Sequence, residues 1–151
     1  MKPTDDDREL LLHRDLPFSA EQVWAVLTDT RHLIHWWGPD GFTIEDPSMD
    51  LRVGGEWRFL MIGPDGTRYP NHSIFTAIEA PSLLAYDHGD GQRIWFKAEI
   101  RLIPHGEGTR VAIWQRYPTR AERDQVVERY GAIEGGKQTL AKLEGYLQSL
   151  R

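Results

Sequence analysis

The chain contains no cysteine. Disulfides, Cys-ligated zinc, iron–sulfur clusters and thiol nucleophiles are thereby excluded, and the fold must be held by its apolar core. A positive field is missing too: 23 acidic against 18 basic residues give a formal net charge of −5, which offers nothing to a phosphate backbone and sets nucleic acid aside as a partner. No apolar run reaches the length of a membrane span, and Met1-Lys2-Pro3-Thr4-Asp5-Asp6-Asp7 has no apolar signal core. A cytoplasmic protein without a membrane partner is expected. There is no Gly-x-Ser-x-Gly elbow, Gly-rich phosphate loop or His-Glu-x-x-His pattern. His32 and His35 lack a carboxylate companion and suit the polar face of a short helix; no metal and no cofactor is expected. What the chain does have is tryptophan, six in 151 residues. Trp lines apolar pockets as readily as it fills cores, so a cavity is worth seeking.

Residues 1–7 read as a disordered acidic tail and 8–151 as one domain, a length that buries roughly two-thirds of the unfolded chain's surface. Glu9 to Arg14 reads as a first strand ended near Pro17. Ser19-Ala20-Glu21-Gln22 is a capping box, and Phe18 and Val23 are spaced as a hydrophobic staple, so a helix starts there. A second short helix through Leu33, Trp36 and Trp37 stops at Gly38-Pro39.

From Phe42 to Tyr117 the punctuation is that of hairpins, with turns at Gly63-Pro64-Asp65-Gly66, His88-Gly89-Asp90-Gly91 and His105-Gly106-Glu107-Gly108. Alternation assigns faces. It places Trp57, Phe59 and Met61 inward, with Ile74, Thr76 and Ile78; Leu84, Tyr86 and His88; Phe96, Ala98, Ile100 and Leu102; and Val111, Ile113, Gln115 and Tyr117. His72 alternates with Ile74 and joins them, whereas Trp95 and Trp114 alternate outward. Thr119-Arg120-Ala121-Glu122 is a second capping box, opening a long amphipathic helix with Val126, Tyr130, Ile133, Leu140, Leu143, Leu147 and Leu150 on one stripe. Gly135-Gly136 interrupts it at about 1 kcal/mol per Gly relative to Ala. Either Gly136 leaves room for a ligand beneath the helix, or it permits close helix–sheet contact; a break near Gly131 is the other way to relieve the cost.

Four segments carry a family resemblance: Pro17-Phe18-Ser19-Ala20-Glu21-Gln22-Val23-Trp24, His35-Trp36-Trp37-Gly38-Pro39, Gly54-Gly55-Glu56-Trp57-Arg58-Phe59 with Met61 and Asp65-Gly66, and Glu134-Gly135-Gly136-Lys137. With the element order, they resemble the activator of heat-shock-protein-90 ATPase homologue family, within the START-like (SRPBCC) superfamily. The resemblance implies an α+β helix-grip fold: a curved antiparallel sheet of six to seven strands wrapped around a long C-terminal helix, with two short helices after the first strand. It also implies a cavity between sheet and helix.

The expected occupant is a small hydrophobic or aromatic molecule. The residues expected to bind it are Trp37, Trp57, Phe59, Met61, His72, Ile74, Tyr86, Phe96, Gln115, Glu134 and Gly136. One alternative is a cyclase, dehydratase or hydrolase using His72, Tyr86 or Glu134 as acid–base groups, with Glu134 holding the His72 tautomer. Another is a chaperone-linked interaction domain, for which Trp95 and Trp114 are the surface to watch; a homodimer interface is their other explanation.

Overall fold

A computed structural model describes residues 7–151, so the expected acidic tail lies almost wholly outside the described residues. Strands β1 (Glu9–Leu16), β2 (Thr43–Met49), β3 (Glu56–Ile62), β4 (Arg68–Glu79), β5 (Leu83–Gly89), β6 (Ile94–His105) and β7 (Gly108–Arg116) form one antiparallel sheet in the order β1-β7-β6-β5-β4-β3-β2. The meander from β2 to β7 needs only hairpin turns. The chain's first strand then closes the far edge by pairing with β7, Leu12 opposite Ile113.

Helices α1 (Ala20–Leu27) and α2 (Thr30–Leu33) connect β1 to β2. The capping box at α1 is made: Gln22 N–H donates to Ser19 Oγ at 3.1 Å, and Ser19 N–H donates to Gln22 Oε1 at 2.9 Å. Val23, Val26 and Leu27 bury the inner face of α1. After β7 the chain forms α3 (Arg120–Tyr130) and α4 (Ala132–Ser149). The break falls at Gly131, whose φ of 62° is a left-handed cap that Gly adopts without strain. Thr119 Oγ1 accepts from Glu122 N–H at 3.1 Å and starts α3; the return bond of the expected capping box is not made among the described residues, the Glu122 carboxylate pairing with Arg93 instead.

The two closing helices differ. Thr139, Leu140, Leu143 and Leu147 of α4 are buried, whereas α3 buries no residue completely. Gly135-Gly136 explains how α4 comes so close to its neighbours. A Cβ on Gly136 would stand 2.3 Å from Leu12 Cδ1, and one on Gly135 would stand 3.2 Å from Pro39 Cγ. Of the two readings of Gly136, close contact is the one the structure shows, because the Leu12 methyl already occupies the space. Lys142 Nζ adds hydrogen bonds to the carbonyls of Gly38 and Pro39 at 3.1 and 3.3 Å, fastening the Trp36-Trp37 loop to α4.

The core runs through Trp36, Trp57, Phe59, Phe75, Leu84, Tyr86, Ile100 and Leu143. Most of the expected inward faces are correct. On β4 the phase is not. Ser73 and Phe75 point inward, opposite His88 and Tyr86, while Ile74 is 37% exposed and Thr76 is exposed. A bulge between Phe75 and Ala77 resets the alternation so that Ile78 returns to the core beside Leu84. Adjacent apolar residues at 74 and 75 left either phase open to simple alternation; pairing with β3 and β5 decides it. His72, carried outward with Ile74, sits opposite Arg58 and hydrogen-bonds Glu56 Oε1 at 3.2 Å.

Candidate functional site: a cleft beneath α3

The space under α4 is filled. Leu140 and Leu143 meet Leu27, Trp37, Ile100 and Val111 there around only about 10 Å³, no more than one water occupies. Trp57 closes the neighbouring volume: it is 1% exposed and packs its ring on Trp37, Phe59, Phe75 and Tyr86 at centroid distances of 5.0 to 6.1 Å. Trp37, Trp57, Phe59 and Tyr86 are therefore packing residues of one aromatic cluster rather than the walls of a void.

The room lies instead between α3 and the end of the sheet formed by β5, β6 and β7, where a cleft of about 610 Å³ opens. That size suits a small organic ligand. From the sheet it is lined by Tyr69, His88, Trp95, Phe96 and Tyr117, and from α3 by Glu122, Gln125, Val126 and Tyr130. Those α3 positions recur at helical spacing and so share one face. Arg93, on the β5–β6 turn, reaches over to pair with Glu122, the ionic tie between that turn and the helix.

Two features of the backbone build the aromatic wall. His88, Phe96 and Tyr117 follow from alternation, and the Phe96 ring packs, tilted, between the other two at 4.9 and 5.0 Å. Trp95 does not. The ladder pairs His88 with Phe96 but Gly89 with Ile94, so Trp95 is the extra residue of a bulge. The bulge turns its ring toward the cleft, 5.7 Å from that of His88. The outward position expected for Trp95 is thus corrected. Trp114 does stay on the outer face, half-buried.

His88 is the half-buried imidazole of the site. Its Nδ1 lies 2.8 Å from Ser73 Oγ, and among the described residues Nε2 has no protein partner. Burial, with a smaller contribution from His72, pushes its pKa down to about 4, so the ring is neutral at pH 7. Burial likewise raises the Tyr117 phenol above its ordinary range, and the Tyr117 hydroxyl donates to Gln115 Oε1 at 2.9 Å. The sheet side of the cleft is uncharged and apolar apart from a few oriented dipoles.

Of the residues expected to bind a ligand, Phe96 lines the cleft and Gln115 stands behind it through Tyr117. Met61 is half-buried against the core. His72 and Ile74 lie on the outer face, Glu134 is exposed on the first turn of α4, and Gly136 is covered by Leu12. The His72–Glu134 partnership is not formed, because His72 takes Glu56. His72, Tyr86 and Glu134 do not converge. His32 and His35 are both engaged by Tyr146, one by a 2.6 Å hydrogen bond and the other by ring stacking at 5.4 Å. Sequence reasoning missed Tyr69, Arg93, Trp95, Glu122, Gln125, Val126 and Tyr130. Val126 and Tyr130 were on the apolar stripe, but their cleft appears only because the helix breaks at Gly131.

The family model for activator of Hsp90 ATPase homolog 1-like protein matches residues 17–148. The chain belongs to that family. A similar solved structure is that of a protein from Nitrosomonas europaea, 29% identical over 97% of each chain with a TM-score of 0.88. Another similar structure, from Mycobacterium smegmatis, is 25% identical over 99% of this chain and 97% of that one, with a TM-score of 0.86. An AHSA1-like protein from Aeromonas hydrophila, 20% identical over 94% and 93% with a TM-score of 0.75, shares the fold. No curated protein matches the sequence. The fold of this family member is the START-like helix-grip, and among the described residues no helix is long and apolar enough to cross a membrane.

Proposed function

We propose that this protein binds a small aromatic or hydrophobic molecule in the cleft beneath α3. The observation that carries the proposal is an aromatic wall of Trp95, Phe96 and Tyr117 around about 610 Å³, with a neutral, half-buried histidine as its polar handle. Apolar area supplies affinity, and one or two oriented polar groups supply selectivity. Acid–base chemistry has less support, since the three groups expected to supply it are dispersed over the outer face, the core and α4.

The test is titration with N-phenylnaphthylamine, a neutral aromatic fluorophore. Saturable one-to-one binding is expected, and Val126→Trp, which plugs the cleft from α3, should abolish it while leaving the folded signal intact. Absence of binding, or binding indifferent to Val126→Trp, contradicts the proposal. A chaperone-linked interaction surface is the second reading; the family name and the exposure of Tyr69 and Tyr130, 39% and 63%, beside the cleft favour it. Pull-down with an Hsp90-type chaperone, compared between wild type and a Tyr69→Ser, Tyr130→Ser variant, separates it from small-molecule binding.

A further inference from the structure

Ser73 and His88 face each other directly across β4 and β5, with Ser73 Oγ 2.8 Å from His88 Nδ1. Ser73 is 1% exposed, and among the described residues its hydroxyl has no partner except this nitrogen. The hydroxyl carries one hydrogen to place. Were Nδ1 protonated, it would donate to Ser73 Oγ and leave the Ser73 O–H buried without an acceptor, the costly case for any polar group away from water. With Nδ1 bare, Ser73 donates to it, the buried hydroxyl hydrogen has its acceptor, and the ring proton resides on Nε2, the nitrogen left without a protein partner.

The geometry points to His88 as a fixed hydrogen-bond donor in the cleft, its Nε2–H selecting aromatic ligands that carry an acceptor, such as a ketone carbonyl, over same-shaped ligands that offer only a donor. This rests on the reading of the cleft as a ligand site. Ser73 is the positioning residue: it touches no ligand but sets which ring nitrogen carries the proton. The remaining wall agrees with such a role. Tyr117 spends its hydroxyl hydrogen on Gln115, Phe96 offers only its ring to hold a flat molecule against the imidazole, and Trp95 adds to its ring surface an indole N–H, which donates and cannot accept. A ligand with a donor alone meets the Nε2–H head-on, leaving two donors facing each other.

Fluorenone, fluorene and carbazole share one tricyclic shape and present an acceptor, neither group and a donor respectively, so their affinities isolate the polar term. Fluorenone should bind roughly 5–10-fold more tightly than fluorene, the scale of one net hydrogen bond, with carbazole weakest. In Ser73→Ala the ring proton is free to move, and the fluorenone and carbazole affinities should converge to within about twofold. Independently of any ligand, long-range proton–nitrogen NMR of the free protein should show His88 protonated at Nε2 and bare at Nδ1. The opposite tautomer overturns the inference whatever binds. Equal affinity for the three tricycles overturns the selectivity and leaves the cleft reading standing. Failure of all three to bind contradicts the cleft reading, and the selectivity falls with it.

Discussion

Beneath α4, Leu140 and Leu143 meet Leu27, Ile100 and Val111 and enclose about 10 Å³; beneath α3, Val126 and Gln125 stand across about 610 Å³ from Phe96 and Tyr117. One glycine separates the two helices. The difference comes from side chains available to bury: α4 buries Leu140, Leu143 and Leu147 along its second half and carries two glycines that let it press on Leu12 and Pro39, whereas α3 is mostly charged and buries nothing fully. A helix with no buried residue contributes little to the core, and it can stand off the sheet at little cost. The same sheet is thus sealed at one end and open at the other.

The contrast can be broken most forcefully in the sealed region. Trp57→Ala should cost about 3–5 kcal/mol in chemical denaturation, the usual range for emptying a core aromatic site, while Trp95→Ala in the cleft should cost about 1 kcal/mol or less, as for partly exposed positions. Equal losses would mean the two regions are packed alike. Acidification probes the cleft. His88 has a folded pKa of about 4, below its ordinary value of 6.5, so between these pH values the unfolded chain binds more protons. Stability should therefore be fully present above about pH 6.5 and decline as pH falls toward 4, by on the order of 3 kcal/mol. His88→Phe should flatten that part of the profile, and an unchanged slope would remove burial of His88 as its cause.

Much of this was legible beforehand, and the failures have a common origin. The capping box at Ser19, the N-cap at Thr119, the α4 stripe and the inward faces of β3, β5, β6 and β7 follow from periodicity and side-chain chemistry, and family resemblance supplied the topology. Residues 72–76 and Trp95 were misplaced because each lies next to a bulge, where two residues oppose one and period-two reasoning loses its phase. Small residues leave volume, so the sequence points to a cavity beneath the Gly-Gly pair. Here the volume goes to Leu12, and the consequential glycine is Gly131, which ends one helix and lets α3 take its own position.

Smaller effects sharpen the comparison. Gly131→Ala should destabilise by about 1–2 kcal/mol, a backbone penalty for a non-Gly residue in the left-handed region, since nothing lies within 4 Å of the added methyl group. Removal of the Arg93–Glu122 pair by Glu122→Gln should change stability by less than about 1 kcal/mol. In hydrogen exchange the same variant should speed opening of α3 amides and leave those of α4 unchanged; equal acceleration in both helices would show that they open as one unit.

The most direct measurement is the position of a bound aromatic probe. With fluorenone at saturation, intermolecular NOEs should connect the probe to Trp95, Phe96, Tyr117 and Val126 and to none of Trp57, Leu140 or Leu143. Contacts to those last three residues, with none to the α3 cleft, would contradict the account and return the ligand to the space beneath α4.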